Sequence, residues 1–381
     1  WLKYCIVDFG SGMRLTSRAG LCWIAQVSSL CGSRGAELAG QETLRRVRVT
    51  DGSPLLSSVE REYLLSVPSG YNGTVLPLLL YFHGWCDDWR CADCKWGAVG
   101  NAEGFISVKL RGKEDGDKGC PSWNVGHGGR SDVCRPKDTE PVQYTSCRRT
   151  NQTGPCNCYT CYDDVAFVAA VYDDIRHDLC VDEGRVFATG ASNGAMFLYP
   201  LVAELAERGL GPRFKAIAPW YGAFFQHMER VLPSAARVSV FHSHGSLDTT
   251  IPPAGGESSD GYLYVPVQHT LDHFAKRHGC IAGQAWGRTQ PKSDLPVQFA
   301  PTTQREAAEV GQDLHFAPQW PTVRTPWDGN GSLLECRAAP GCKEGRIVRC
   351  FYHADHGFWP SYAEEMTWWW FKSLGSSEIV V

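Results

Sequence analysis

Ser192, in Gly190-Ala191-Ser192-Asn193-Gly194, is the residue best placed for nucleophilic chemistry. A serine hydroxyl attacks only when a base takes its proton and an acid orients that base. Both follow downstream. Asp248 stands in His242-Ser243-His244-Gly245-Ser246-Leu247-Asp248-Thr249-Thr250-Ile251-Pro252, and His356 in His353-Ala354-Asp355-His356-Gly357-Phe358-Trp359-Pro360. Asp260, Asp272 and Asp355 are rival acids, and His353 is a rival base. The glycines around Ser192 also have a reason. A serine on a tight strand-to-helix turn has strained backbone angles, and larger neighbours would clash.

Such a nucleophile needs N–H donors for the charge that develops on the attacked oxygen. Asn193 follows the serine and opens a helix, so its N–H is one expected donor. Phe82-His83-Gly84-Trp85 closes an early apolar run, and the N–H of Trp85 is the expected second donor. Each donor is typically worth about 3 kcal/mol. Trp123 and Trp359 stand beside motif residues and are expected either to bind substrate or to pack in the core.

The surrounding elements must place these groups. Leu76–Phe82 is a continuous apolar run, the pattern of a strand buried on both faces. Further strands are expected at 46–49, 61–67, 105–110, 185–189, 214–218, 238–241 and 346–352. Helices are expected at 162–179, 195–208, 265–278 and 361–373. Strands and helices alternate, which implies an α/β fold with a mostly parallel sheet covered on both faces. Ser192, Asp248 and His356 each lie just past the C-terminal end of an expected strand, where sites of α/β sheets are built. The Trp368-Trp369-Trp370 run is structural on this reading, because a helix spreads consecutive residues over different faces.

Of the 381 residues, 43% are hydrophobic and 20% charged, and the net charge is −4. That supports a sizeable core and argues against general nucleic-acid binding, which needs a concentrated basic surface. No apolar run is long enough for a membrane-spanning helix. The 17 cysteines point to an oxidising compartment. So do the sequons at Asn72, Asn151 and Asn330, which make glycosylation an expectation. Translation is expected to start at Met13, with a signal peptide to about residue 36. Residues 1–36 are then an extension or leader. Residues 37–381 form one domain, with a Cys-rich insertion at 111–161 and a loop insertion at 281–325. A rival reading takes the spacings Cys86-x4-Cys91-x2-Cys94 and Cys156-x-Cys158-x2-Cys161 as a metal-binding or interaction module.

Taken together, His83-Gly84-Trp85, Ser122-Trp123-Asn124, Tyr162-Asp163-Asp164-Val165, Arg185–Met196, His244–Pro252 and His356–Pro360 resemble a known group. It is the secreted esterase family of polyhydroxybutyrate depolymerases and feruloyl esterases, within the α/β-hydrolases. The resemblance spans roughly residues 60–372. It implies an α/β-hydrolase fold and a Ser-His-Asp triad at Ser192, His356 and Asp248. It also implies carboxylic-ester hydrolysis without metal or organic cofactor. The implied substrate is a plant cell-wall feruloyl ester or a polyester. Departures around Cys86–Arg90, from Cys120 to Cys161 and after Cys280 bear on substrate specificity.

Overall fold

A computed structural model describes residues 34–50, 58–115, 120–126, 133–135, 144–152, 160–226, 228, 237–280, 287–288, 323–324, 331–332, 335–343, 345–357, 359–360 and 362–375. Most of the expected leader and most of the 281–325 insertion lie outside these residues, as do Asn330, Cys156 and Cys158.

Ten strands form one sheet. In chain order they are β1 (Glu42–Thr50), β2 (Ser58–Ser66), β3 (Leu76–Phe82), β4 (Ile106–Leu110) and β5 (Val181–Ala191). They continue as β6 (Ala216–Trp220), β7 (Ser239–Gly245), β8 (Gly287–Arg288), β9 (Glu335–Ala338) and β10 (Ile347–Tyr352). The spatial order is β1-β2-β4-β3-β5-β6-β7-β10-β9-β8. The six strands β4-β3-β5-β6-β7-β10 run parallel. β2 and β9 are antiparallel to both of their neighbours. This parallel centre, with an antiparallel second strand and a serine turn after β5, is the α/β-hydrolase arrangement.

Five longer helices cover the sheet: α1 (Trp96–Glu103), α2 (Asp164–Asp178), α3 (Asn193–Glu207), α4 (Val267–Arg277) and α5 (Ala363–Ser373). The period of β3 shows how the layers are divided. Leu78, Leu80 and Phe82 join the core that holds Val165 of α2, Phe197 of α3 and Phe274 of α4. Leu79 and Tyr81 point the other way, into the core that holds Trp96 of α1 and Trp368 and Phe371 of α5. A strand covered on both faces needs apolar residues at every position, which is why β3 lacks alternation. Pro77 has no N–H to give, and the β3–β5 register shifts between Leu76 and Leu78. In the Trp-rich helix, Trp368 stacks on Phe105 at 3.8 Å between centroids and Trp370 on Phe241 at 5.2 Å, a structural role as expected.

Three of these elements were not anticipated: α1, β9 and the two-residue β8, which falls in the 281–325 stretch expected to be a loop. Helix α1 carries two glycines in eight residues and has no side-chain cap, so its pattern is weak. Strand β9 has only four residues and owes its place to pairing with β10, across which Cys336 and Cys350 are disulfide-bonded.

Disulfides also join Cys86–Cys120, Cys91–Cys94, Cys147–Cys161 and Cys280–Cys342, and Cys134 and Cys180 are disulfide-bonded as well. This corrects the metal reading of Cys86-x4-Cys91-x2-Cys94. Those three sulfurs are committed to disulfide bonds, and zinc would need them as thiolates.

Candidate active site

Ser192 closes β5 and precedes α3, with φ 50° and ψ −119°. A non-glycine residue rarely adopts positive φ, and the surroundings must hold it there. The neighbouring glycines let β3 come close. A Cβ on Gly190 would lie 2.8 Å from the carbonyl oxygen of Phe82, and one on Gly194 would overlap the carbonyl oxygens of Phe82 and His83. The Ser192 N–H donates to the Trp220 carbonyl at 3.0 Å, which anchors the turn to β6.

The structure brings Ser192, His356 and Asp248 into one line. His356 Nε2 lies 2.9 Å from Ser192 Oγ, and its Nδ1 lies 2.7 Å from Asp248 Oδ2. The serine hydroxyl therefore donates to Nε2, and Nδ1–H donates to the carboxylate. Asp248 Oδ1 accepts the backbone N–H groups of Thr250 and Ile251 at 2.9 and 2.8 Å. Burial pushes the Asp248 carboxyl up, but hydrogen bonds from His244 and His356 outweigh it and hold the group at about 2. The carboxylate is 3% exposed, so it stays ionised while shielded from water.

The rival residues are placed elsewhere. Asp355 accepts the backbone N–H of His356 at 2.7 Å, Asp260 accepts from Ser259 and Asp272 from Gln268. His353 is exposed, beyond the end of β10.

On the other flank, Asn193 is the first residue of α3, so its N–H has no acceptor within the helix. Its side chain is engaged separately, Oδ1 accepting the Trp123 N–H at 2.8 Å. The Gly84–Trp85 peptide is set by His83. His83 Nδ1–H donates to the Gly84 carbonyl at 2.6 Å, and Nε2 accepts the Gly112 N–H at 2.9 Å. In a trans peptide the carbonyl and the next N–H point in opposite directions, so this contact turns the Trp85 N–H away from the ring. Burial pushes His83 down to about 4, which keeps the ring neutral and able to accept from Gly112. A Cβ on Gly84 would lie 3.4 Å from Ser192 Cβ, so this peptide passes beside the serine.

Two tryptophans pack against other aromatic rings. Trp123 is 0% exposed, stacked on Phe197 at 5.5 Å and edge-on to Phe82, and its Nε1–H donates to the His83 carbonyl at 2.9 Å. This corrects the substrate-binding expectation, since no face of the ring is free; Trp123 supports His83 from below. Trp359 packs against Trp220, Tyr81 and Trp96 at 4.7, 6.2 and 6.5 Å and belongs to that aromatic cluster. Trp85 is half-buried, its Nε1–H bonded to Tyr144 Oη at 2.7 Å.

Tyr221 carries no signal in the sequence. It sits at φ 41° directly after β6, and its ring meets His356 edge-on at 5.0 Å. No local pattern marks it, because its position follows from β6 ending beside β7.

A strained serine held by two glycines, a buried carboxylate and an imidazole between them define the class: an α/β-hydrolase scaffold carrying a Ser-His-Asp array. No family model matches the chain. A bifunctional acetylxylan esterase/xylanase of Neocallimastix patriciarum is 24% identical over 177 residues, 46% of this chain and 20% of that protein. The probable feruloyl esterase C of Aspergillus niger is 31% identical over 94 residues, 25% of this chain and 32% of that protein. These curated relatives are carboxylic ester hydrolases, and the chain spans between a fifth and a third of their length. Among solved structures, an acetyl xylan esterase from Aspergillus awamori has a TM-score of 0.48 at 13% identity, covering 86% of this chain and 99% of that one. A poly(3-hydroxybutyrate) depolymerase from Bordetella parapertussis has a TM-score of 0.40 at 15% identity, covering 65% and 82%.

Proposed function

We propose that the chain is a secreted serine hydrolase of carboxylic esters acting through an acyl-enzyme. Ser192 attacks the ester carbonyl as His356 Nε2 takes its proton. Asp248 holds the imidazole tautomer and stabilises the imidazolium. The N–H groups of Trp85 and Asn193 stabilise the oxyanion. His356 then gives its proton to the leaving alcohol and activates the water that releases the acid. The observation that carries this reading is the continuous hydrogen-bonded line from Asp248 through His356 to a serine at positive φ.

The disulfides support an oxidising compartment, as does an exposed Asn72 in its sequon. The relatives named acetylxylan esterase and feruloyl esterase favour an ester of plant cell-wall polysaccharide over a polyester. No helix among the described residues is long and apolar enough to cross a membrane.

The test is Ser192→Ala. The variant is expected to fold and to lose hydrolysis of a p-nitrophenyl ester. Retained hydrolysis would refute the reading. Rates on methyl ferulate, acetylated xylan and hydroxybutyrate oligomers then rank the substrates.

A further inference from the structure

The triad does not end at Asp248. His242 and His244 lie two apart on β7, so they share one face of the strand, and both are 0% exposed. Their rings stack with centroids 5.2 Å apart. His244 Nε2 lies 3.1 Å from Asp248 Oδ2, the same oxygen that receives His356, and 2.8 Å from the Ile251 carbonyl. His244 Nδ1 faces His242 Nε2 at 3.0 Å, and His242 Nδ1 faces Tyr199 Oη at 2.9 Å.

We propose that His244 is a positioning residue for the triad carboxylate, with its tautomer locked from behind by His242 and Tyr199. The inference rests on the Ser-His-Asp reading above.

The neighbours leave little choice of proton placement. The Ile251 carbonyl and the Asp248 carboxylate are both acceptors, so His244 Nε2 must carry a hydrogen. With His244 neutral, its Nδ1 accepts, and His242 Nε2 must donate. His242 Nδ1 then accepts, and the Tyr199 hydroxyl donates to it. The donors run in one direction, Tyr199 to His242 to His244 to Asp248. Any other neutral arrangement sets two lone pairs or two hydrogens against each other in a buried site.

The work done on Asp248 is specific. His356 and His244 converge on Oδ2 from two elements, while Thr250 and Ile251 hold Oδ1. His244 thereby draws off part of the charge that Asp248 offers to His356. Removing its N–H leaves Asp248 a stronger acceptor, which favours the His356 imidazolium. The charged and titratable groups around this arrangement are few. His244 faces Asp248 and His242, with Phe351 of β10 edge-on. His242 faces Tyr199 of α3 and, from β10, feels Arg349. His356 faces Asp248 and the ring of Tyr221, with Asp87 nearby.

His244→Leu removes the N–H, whereas His244→Gln keeps an amide donor at nearly the same reach. Tyr199→Phe deletes one hydroxyl and loosens only the tautomer lock. The purified full chain is assayed on p-nitrophenyl acetate across pH, with the folded fraction counted by near-UV dichroism and active sites titrated by a fluorophosphonate. His244→Leu is expected to lose about ten- to a hundred-fold in kcat, with KM within about two-fold. Its acid limb of kcat/KM is expected to move up by about half a pH unit or more. His244→Gln should recover most of both effects, and Tyr199→Phe should lose only about two- to five-fold in kcat.

A folded His244→Leu with wild-type kcat and acid limb would overturn the inference. So would a His244→Gln no better than His244→Leu. Should His244→Leu fail to fold, the His244→Gln and Tyr199→Phe profiles decide: an unmoved limb and rate in Tyr199→Phe, together with a loss of about ten- to a hundred-fold in kcat in a folded His244→Gln, overturns it. Wild type inert to both ester and fluorophosphonate would instead sink the underlying esterase reading.

Discussion

On one flank of Ser192 a backbone is aimed by side chains; on the other a side chain is aimed by backbone and strand. The proposed oxyanion flank depends on a peptide just past the end of β3. His83 grips its carbonyl, Trp123 supports His83, and Cys86, next in line after Trp85, is tied to Cys120. The proposed relay flank depends on Asp248 and His356, which extend from the ends of β7 and β10. Two backbone N–H groups and His244 fix Asp248. The difference teaches where each flank is fragile. The relay flank is expected to fail when a charge is removed. The oxyanion flank is expected to fail when a support several bonds from the reacting atoms gives way.

The sharpest break is Asp248→Asn. The amide keeps the shape but favours the wrong imidazole tautomer, so kcat is expected to fall by about 10³–10⁴-fold. Binding of a substrate analogue should be nearly unchanged. Steady-state kinetics with isothermal titration checks both, and a loss seen in KM alone would contradict the assigned role.

The oxyanion flank has a staple to remove. Cys86 and Cys120 close a loop with a sequence separation of 34. The double variant Cys86→Ser/Cys120→Ser is expected to lose about 3–4 kcal/mol of stability on the chain-entropy account. Urea denaturation measures it. A loss of kcat larger than that of the folded fraction would show that the staple also aims the Trp85 N–H.

A finer break is His83→Leu, which frees the Gly84 carbonyl without touching the triad. Loss of one aimed donor is expected to lower kcat by about ten- to a hundred-fold, less than full removal of a donor. KM and the acid limb of the pH profile should stay in place. That steady limb separates this flank from the relay flank, where His244→Leu is expected to move it.

These flanks were unequally legible in the sequence. Ser192, Asp248 and His356 each sit at a strand end, and strand ends are visible as apolar runs followed by turn residues. The order of elements then places three distant residues at one edge of a parallel sheet. His83, Tyr221 and the His242–His244 pair owe their roles to contacts between strands that only folding brings together. One local signal existed: two histidines two apart on a buried strand share a face, and that strand leads straight to the acid. Trp123 takes the core-packing role of the two that its place beside a motif left open, because proximity to a motif is not exposure. The chain needs a large ring there to fill the space under His83.

The smallest expected effect separates the flanks by acid sensitivity. His83 stands at about 4 in the folded chain, below its ordinary 6.5, so the unfolded chain binds more protons between those values. Its contribution to stability is complete above about 6.5 and is lost as pH falls toward 4. Asp248 stands at about 2, below its ordinary 3.8, so its contribution is complete above 3.8 and is lost as pH falls toward 2. Acid should therefore reach the oxyanion flank first. Stability measured by urea denaturation between pH 7 and pH 4 is expected to decline less steeply in His83→Leu than in wild type. The difference is at most about 1.4 kcal/mol per pH unit, the limit for one proton. Equal slopes in the two proteins would mean that His83 is not the neutral, accepting ring that holds the Gly84–Trp85 peptide in place.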